Sequence, residues 1–180
     1  MKNQLTKTSK FLSFVLRHKP DEIGLTLDEN GWANINELIE KSVSYGKKIN
    51  REILEEVVMK NDKKRFVISD DGTSIRANQG HSIAVDLELV PQQPPAILFH
   101  GTAERNLELI LSSGLKKMQR HHVHLTESTE TAKKVGVRYG KPVLLKIKTE
   151  PMRRDGFDFY KSENNVWLVD EVPAQYIELD

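Results

Sequence analysis

Apolar positions follow a helical rhythm early in the chain and an alternating one between the helices. In FLSFVLRHKP (11–20), Phe11, Leu12, Val15 and Leu16 form the stripe of an amphipathic helix. Ser9 is its expected N-cap, and Pro20 ends the pattern. After it, IGLTLDENGWANI alternates apolar and polar residues around the tight-turn pair Asn30-Gly31. Asn34 followed by Glu37 resembles a capping box and predicts a helix over Asn36–Ser42. Asn50 caps a further predicted helix, Arg51–Lys60, with Ile53, Leu54, Val57 and Val58 on one face. Phe66, Ile68 and Ile75 predict two short strands joined across Asp70-Asp71-Gly72.

Three helices followed by a β-hairpin is the order of a winged-helix module. Such modules often bind nucleic acid, but the order alone does not establish it. VPQQPP (90–95) then breaks the pattern, because prolines at 91, 94 and 95 stiffen the chain and disfavour regular structure. The predicted organisation is therefore a lobe over 1–90, a proline-rich junction over 91–95 and a second lobe over 96–180. In the second lobe, Ala96–His100 reads as an apolar strand running into His100-Gly101-Thr102. Glu104–Ser113 reads as a helix with Leu107, Ile110 and Leu111 inward and Gly114 at its C-terminal cap. HHVHLT (121–126) alternates like a strand, and Thr129–Tyr139 reads as a helix closed by Gly140. KPVLLKIKT, NNVWLV and YIEL complete a mixed α+β pattern with several short strands.

Composition narrows the chemistry. The 180 residues, 38% hydrophobic, suffice for one domain or two small ones. With 27 Lys+Arg against 26 Asp+Glu the formal net charge is only +1, so any nucleic-acid site must be a local patch. The chain has no cysteine, which excludes disulfides, thiolate metal sites and a cysteine nucleophile. No apolar run approaches the length that spans a bilayer, and MKNQLTKTSK lacks a signal-peptide core. A soluble, cytoplasmic protein is the expectation.

Several groups could bear chemistry. Arg17 and His18 close the first helix, where cations complement the helix dipole and could equally face an anionic ligand. Lys63 and Lys64 read as a solvated basic run. Arg65 directly precedes a core-type Phe and could hold phosphate bidentately. Arg76, Gln79, His81 and Ser82 in IRANQGHS read either as a polar loop or as phosphate and sugar contacts, with Gly80 permitting close approach. HGT places a His, an unobstructed backbone N–H and a hydroxyl together, a trio suited to ribose or carboxamide. In RHHVHLT, alternation would set His122 and His124 on one face, Arg120 beside them and His121 opposite. No third ligand accompanies His122-x-His124, so no zinc set is evident. Neither G-x-G-x-x-G nor a Walker loop is present.

Taken in order, FLSFVLRHKP, GWANI, NDKKRF, IRANQGHS, FHGT, RHHVHLT and NNVWL resemble the RNA 2′-phosphotransferase (tRNA 2′-phosphotransferase) family. The likeness runs from about Ser9 to about Val169. It implies a winged-helix-like RNA-binding lobe and an ADP-ribosyltransferase-like lobe that binds NAD. It implies a substrate RNA with an internal 2′-phosphate, as tRNA splicing of the fungal type leaves. In the family's reaction the 2′-phosphate attacks the nicotinamide ribose and expels nicotinamide. The ribose hydroxyl then attacks that phosphorus, giving 2′-OH RNA and ADP-ribose 1″,2″-cyclic phosphate, with no metal. The family's catalytic set maps onto Arg17, His18, Arg65 and Arg120, which the resemblance gathers at one phosphorus. Lys64, Arg76, Gln79, His81 and Ser82 would contact RNA. His100, Gly101, Thr102, His124, Leu125, Thr126 and Val166 would line the NAD pocket.

Val166 falls where many ADP-ribosyltransferases place a catalytic Glu. Its side chain cannot activate an acceptor, which suits a phosphate already ionised. The chain is expected to act as a monomer. Two competing readings stay open. One is an ADP-ribosyltransferase that caps terminal phosphates of RNA or DNA. The other is a non-catalytic winged-helix nucleic-acid-binding protein that senses NAD.

Overall fold

The first helix is longer than its apolar stripe predicts. In the computed structural model, which describes residues 2–180 and side chains from residue 4, α1 spans Lys2–Arg17. Leu5, partly buried, and Thr8, buried, prolong the face of Leu12, Val15 and Leu16 by two turns. Ser9 is therefore not an N-cap: it lies inside the helix, and its hydroxyl accepts from Asn61 Nδ2 at 3.3 Å. His18 follows the last helical residue, its N–H still donating to Phe14 O at 3.1 Å.

Two asparagine caps set the next helices. Asn34 Oδ1 accepts from Glu37 N–H at 3.1 Å and opens α2, Ile35–Ser44. Asn50 Oδ1 accepts from Ile53 N–H at 2.9 Å and opens α3, Arg51–Met59. Of the four apolar residues expected on the α3 face, Leu54 and Val57 are buried, while Ile53 and Val58 are partly exposed. Strand β1, Ala33–Asn34, pairs with β3, Ser74–Ala77, which also pairs with β2, Phe66–Ile68. The register sets Phe66 against Ala77 and Ile75 against Ala33. One core of Leu12, Leu16, Leu38, Leu54 and Ile75, each fully buried, holds these elements. Each such side chain contributes about 1.5–3 kcal/mol relative to exposure.

The chain divides into two compact units, Met1–Glu88 and Leu89–Asp180. In the second, β4 (Ile97–Ala103) contains the HGT tripeptide rather than preceding it. A 3₁₀ turn, Glu104–Asn106, leads into α4, Leu107–Ser113. Ile110 is buried, but Leu111 is 41% exposed and does not point inward as expected. Gly114 occupies the expected C-cap position, but with φ +81° and ψ 179° it leaves the helix in an extended positive-φ backbone rather than the left-handed cap, a conformation that glycine adopts readily. Next come β5 (Leu115–Lys116), β6 (Val123–Leu125), α5 (Thr129–Gly136) and β7 (Pro142–Lys148). Helix α6 (Thr149–Arg154), which the sequence pattern did not suggest, precedes β8 (Tyr160–Lys161), β9 (Trp167–Val169), β10 (Glu171–Val172) and β11 (Ile177–Leu179).

All sheets are antiparallel, in the orders β11-β7-β4, β6-β9-β8 and β10-β5. Phe99 and Thr126 exchange two backbone hydrogen bonds, at 2.8 and 2.9 Å, and so tie β4 to the end of β6. The architecture is thus mixed α+β with six α-helices among the described residues. No helix among them is long and apolar enough to cross a membrane.

Candidate functional site

In the first unit the candidate residues are fastened to their surroundings. Arg17 ends α1, and its carbonyl accepts the Ser82 N–H at 2.9 Å. Its guanidinium carbon lies 5.9 Å from the centre of the Phe66 ring, within cation–π range. His18 Nδ1 lies 2.8 Å from Ser82 Oγ. Ser82 therefore holds both the main chain of Arg17 and the ring of His18.

Arg65 sits on a constrained loop. Lys64, just before it, takes φ +40°, a left-handed backbone that non-glycine residues seldom adopt. Three bonds hold it there. Lys64 N–H donates to Asn61 O at 2.7 Å, Asn78 Nδ2 donates to Lys64 O at 2.6 Å, and Asn78 N–H donates to Arg65 O at 2.9 Å. Arg65 Nη1 donates to Asn61 Oδ1 at 3.2 Å. Asn61 and buried Asn78 hold this loop, and the sequence reading singled out neither. Asn61 lies within NDKKRF, four residues before Arg65, whereas Asn78 reaches Lys64 from fourteen positions away. Arg76 stacks over Trp32, with 4.6 Å from guanidinium carbon to ring centre. His81 is buried, with its Nε2 atom 3.5 Å from a Cβ placed on Gly31. Gln79 is partly exposed on the same segment.

Ser82→Ala is expected to keep the fold and lower turnover roughly tenfold, about the 1.4 kcal/mol typical of one net hydrogen bond. Unchanged turnover would show that Ser82 does not orient the His18 imidazole.

The second unit holds a linked set. His100 lies on β4, and its Nδ1 donates to His124 O at 2.9 Å. Burial, and secondarily the positive charge of Arg120, push the His100 imidazole below its ordinary range, against the opposing His124 carbonyl bond. The ring is therefore neutral at pH 7, with its proton on Nδ1 and its Nε2 a hydrogen-bond acceptor. Arg120 Nη1 lies 3.2 Å from His124 Nδ1. A guanidinium can only donate, so His124 accepts there and carries its proton on Nε2.

The structure corrects the alternation expected for RHHVHLT. Regular strand begins only at Val123. Arg120 lies beside His124, as expected, but through a turn in which Met118 has φ +55° and Arg120 N–H donates to Lys117 O at 3.0 Å. The His122 ring tilts against that of Tyr160, with centres 5.6 Å apart. Burial, with like charge from His121, pushes the His122 imidazole down as well.

Three predicted pocket residues are committed to structure. Leu125 is buried in the hydrophobic core, so only its main chain could meet a ligand. Thr102 is buried, and its hydroxyl accepts from Asn106 Nδ2 at 3.4 Å. Gly101 serves helix packing: a Cβ there would lie 1.6 Å from Ala132 O on α5. Thr126 Oγ1 accepts from Ser128 N–H at 3.1 Å. Val166 follows Asn165, whose φ is +61°, and its N–H donates to the buried Ser162 hydroxyl at 3.1 Å. Among the described residues no three His, Asp or Glu side chains gather as a metal site requires.

The neutral His100 gives a pH signature. An imidazole depressed on folding binds fewer protons than it does unfolded. Stability should thus be full above the unfolded value of about 6.5 and fall as pH drops through the folded value. His122 adds in the same direction. Thermal melts at stepped pH should show the fall, and His100→Asn should flatten it. An equal slope in the variant would contradict a neutral His100.

What these features define is a two-unit α+β protein in which several arginines and histidines are held in place by specific partners. Its sequence matches the model of the RNA 2′-phosphotransferase, Tpt1 / KptA family over residues 3–171. A Flavobacterium johnsoniae protein named "Probable RNA 2'-phosphotransferase" is 58% identical over 170 residues, 94% of this chain and 93% of that one. Proteins of the same name from Acaryochloris marina and Rhodopirellula baltica are 55% and 56% identical, covering 98% and 97% of this chain and 97% and 95% of theirs. The chain belongs to the RNA 2′-phosphotransferase, Tpt1 / KptA family.

Proposed function

We propose that this protein is an NAD-dependent RNA 2′-phosphotransferase that removes an internal 2′-phosphate of the kind left at a tRNA splice junction. The observation that carries the reading is the family match, which runs through Arg17, His18, Arg65 and Arg120. The first unit is the RNA-binding, winged-helix-like one in this reading, and the second the ADP-ribosyltransferase-like one.

Arg17, Arg65 and Arg120 hold the oxygens of the 2′-phosphate and stabilise charge that builds on them at a crowded phosphorus. Preorganised donors are worth about 3–4 kcal/mol each in such a role. The bond from Asn61 helps to order the Arg65 guanidinium in advance, while Asn78 holds the main chain of Lys64 and Arg65 and Ser82 holds the main chain of Arg17 and the ring of His18. His18 is the member able to exchange a proton near neutral pH. Since Ser82 takes the Nδ1 side of its ring, exchange with substrate would run through Nε2.

His100 suits NAD: neutral, with Nδ1–H engaged, it offers Nε2 as an acceptor to a ribose hydroxyl. His124, Thr126, Val166 and the main chain of Gly101, Thr102 and Leu125 are the remaining proposed contacts. NAD as co-substrate would supply an electrophilic ribose carbon and a neighbouring hydroxyl that takes over the phosphate. No general base is needed at Val166, since the phosphate acceptor is already ionised.

The test is an internally 2′-phosphorylated oligonucleotide incubated with the protein, with and without NAD. The expected result is 2′-OH RNA and free nicotinamide only when NAD is present. A stable ADP-ribosylated RNA would instead favour the phosphate-capping reading. RNA binding with no nicotinamide release would favour a non-catalytic NAD sensor.

A further inference from the structure

A groove of about 510 Å³ opens on the first unit, away in sequence from the residues already discussed. Its walls are the N-terminal half of α1 and the turn after α2, with Lys7, Thr8, Phe11, Lys47 and Lys48 among the lining residues. No carboxylate lines it. Lys7, Lys47 and Lys48 are exposed, and none pairs with a carboxylate among the described residues. Elsewhere lysines are commonly paired: Lys41, Lys60, Lys134, Lys141, Lys146 and Lys161 all reach a carboxylate. Glu22 accepts from the Tyr45 hydroxyl at 3.0 Å.

One lining residue, Phe11, is aromatic, and its ring is backed by Tyr45 just outside the groove's lining. Phe11 and Tyr45 stack with centres 6.1 Å apart. Lys47 Nζ lies over both rings, at 5.2 and 5.7 Å. A surface that gathers unpaired ammonium groups beside stacked rings suits a chain of phosphates with attached bases. A purely acidic peptide would use the lysines but not the rings.

We propose that this groove binds the substrate RNA strand at a distance from its 2′-phosphate, an inference that rests on the RNA-directed reading above. Helix α1 sets the spacing. Lys7 and Arg17 are ten residues apart on one helix, about 15 Å at 1.5 Å per residue. That is roughly four nucleotides of stacked strand at 3.4 Å each. The groove therefore engages only RNA that extends several nucleotides beyond the phosphorylated position.

The experiment compares the unmodified protein with the triple variant Lys7→Gln, Lys47→Gln, Lys48→Gln. Substrates are a 2′-phosphorylated dinucleotide and a long single strand bearing the same internal 2′-phosphate. Turnover of the dinucleotide by the unmodified protein tests the underlying activity separately. The variant should match it on the dinucleotide in kcat and KM. On the long strand its KM should rise roughly tenfold with kcat unchanged. The slope of log affinity against log salt should shrink by about 2, near 0.7 for each lost phosphate contact. Melting curves of variant and unmodified protein should coincide, since all three side chains are exposed. Equal effects on both substrates, or no effect on the long one, would overturn the proposal. In the latter case the groove would be left to an acidic protein partner.

Discussion

Gly101→Ala is expected to unfold much of the second unit. The new Cβ would stand 1.6 Å from Ala132 O, 2.5 Å from Ala132 C and 3.1 Å from Gly136 N. All three are main-chain atoms of α5, so no side chain can swing aside. The helix faces the strand through its own small residues, since a Cβ on Gly136 would sit 2.8 Å from Thr102 O. Relief requires lifting α5 from β4 and exposing buried Ala132. Ordinary overpacking costs about 1–3 kcal/mol, and this clash exceeds it. Against a total stability of about 5–15 kcal/mol, a loss of about 4 or more is severe. For a unit of this size the melting midpoint should fall by more than about 15 °C. Circular dichroism melts check this. A variant that melts normally but binds NAD weakly would show that the glycine serves the ligand instead.

Arg120→Ala is expected to lower turnover by roughly 10²–10³, the loss seen when one preorganised donor to a charged transition state is removed. Its guanidinium is aligned by His124 Nδ1. In the proposed two-step reaction, the final transfer of phosphate from RNA would demand closer geometry than the first attack on an electrophilic carbon. The variant should therefore build up ADP-ribosylated RNA, and His18→Ala should do the same. Arg120→Lys should rescue little, because an ammonium cannot reproduce the planar fork. His124→Ala should show a smaller loss, since it removes the support and not the charge. Separation of RNA species after single turnover decides the matter. Conversion at the unmodified rate in both Arg120→Ala and His18→Ala would remove these residues from the reaction.

How far the fold could be read from sequence depended on the range of each interaction. Asn34 and Asn50 cap helices through bonds three residues away, and both were legible. The Phe66–Ile68 and Ser74–Ala77 hairpin was legible from its apolar residues and its Asp-Gly turn. The opening turns of α1 were not, because Thr8 is buried despite its hydroxyl and only Leu5 marks the stripe there. Leu111 fits the helical period yet lies at the edge of a seven-residue helix, where the covered face has run out.

The candidate site divides along the same line. Arg17, His18, Arg65, Ser82, Arg120 and His124 stood out as residue types in motifs. The bonds that link them, and the part of Asn78, did not. Asn78 reaches Lys64 across fourteen positions, and Ser82 reaches His18 across sixty-four. Gly101 stood out for the open backbone N–H of HGT, but nothing in the sequence showed that its missing Cβ also makes room for a helix thirty residues on. Arg120 meets His124 only because a turn folds the intervening chain; in an extended strand four residues would separate them by about 13 Å.

The fate of the phosphorus decides whether one 2′-phosphate is moved onto the NAD-derived ribose or handled otherwise. Phosphorus NMR of an internally 2′-phosphorylated oligonucleotide, followed with excess NAD and the unmodified protein, reads it directly. The expected course is loss of the monoester resonance and growth of a five-membered cyclic diester signal matching ADP-ribose 1″,2″-cyclic phosphate. Release of inorganic phosphate, or a phosphorus that stays on the RNA, would contradict it.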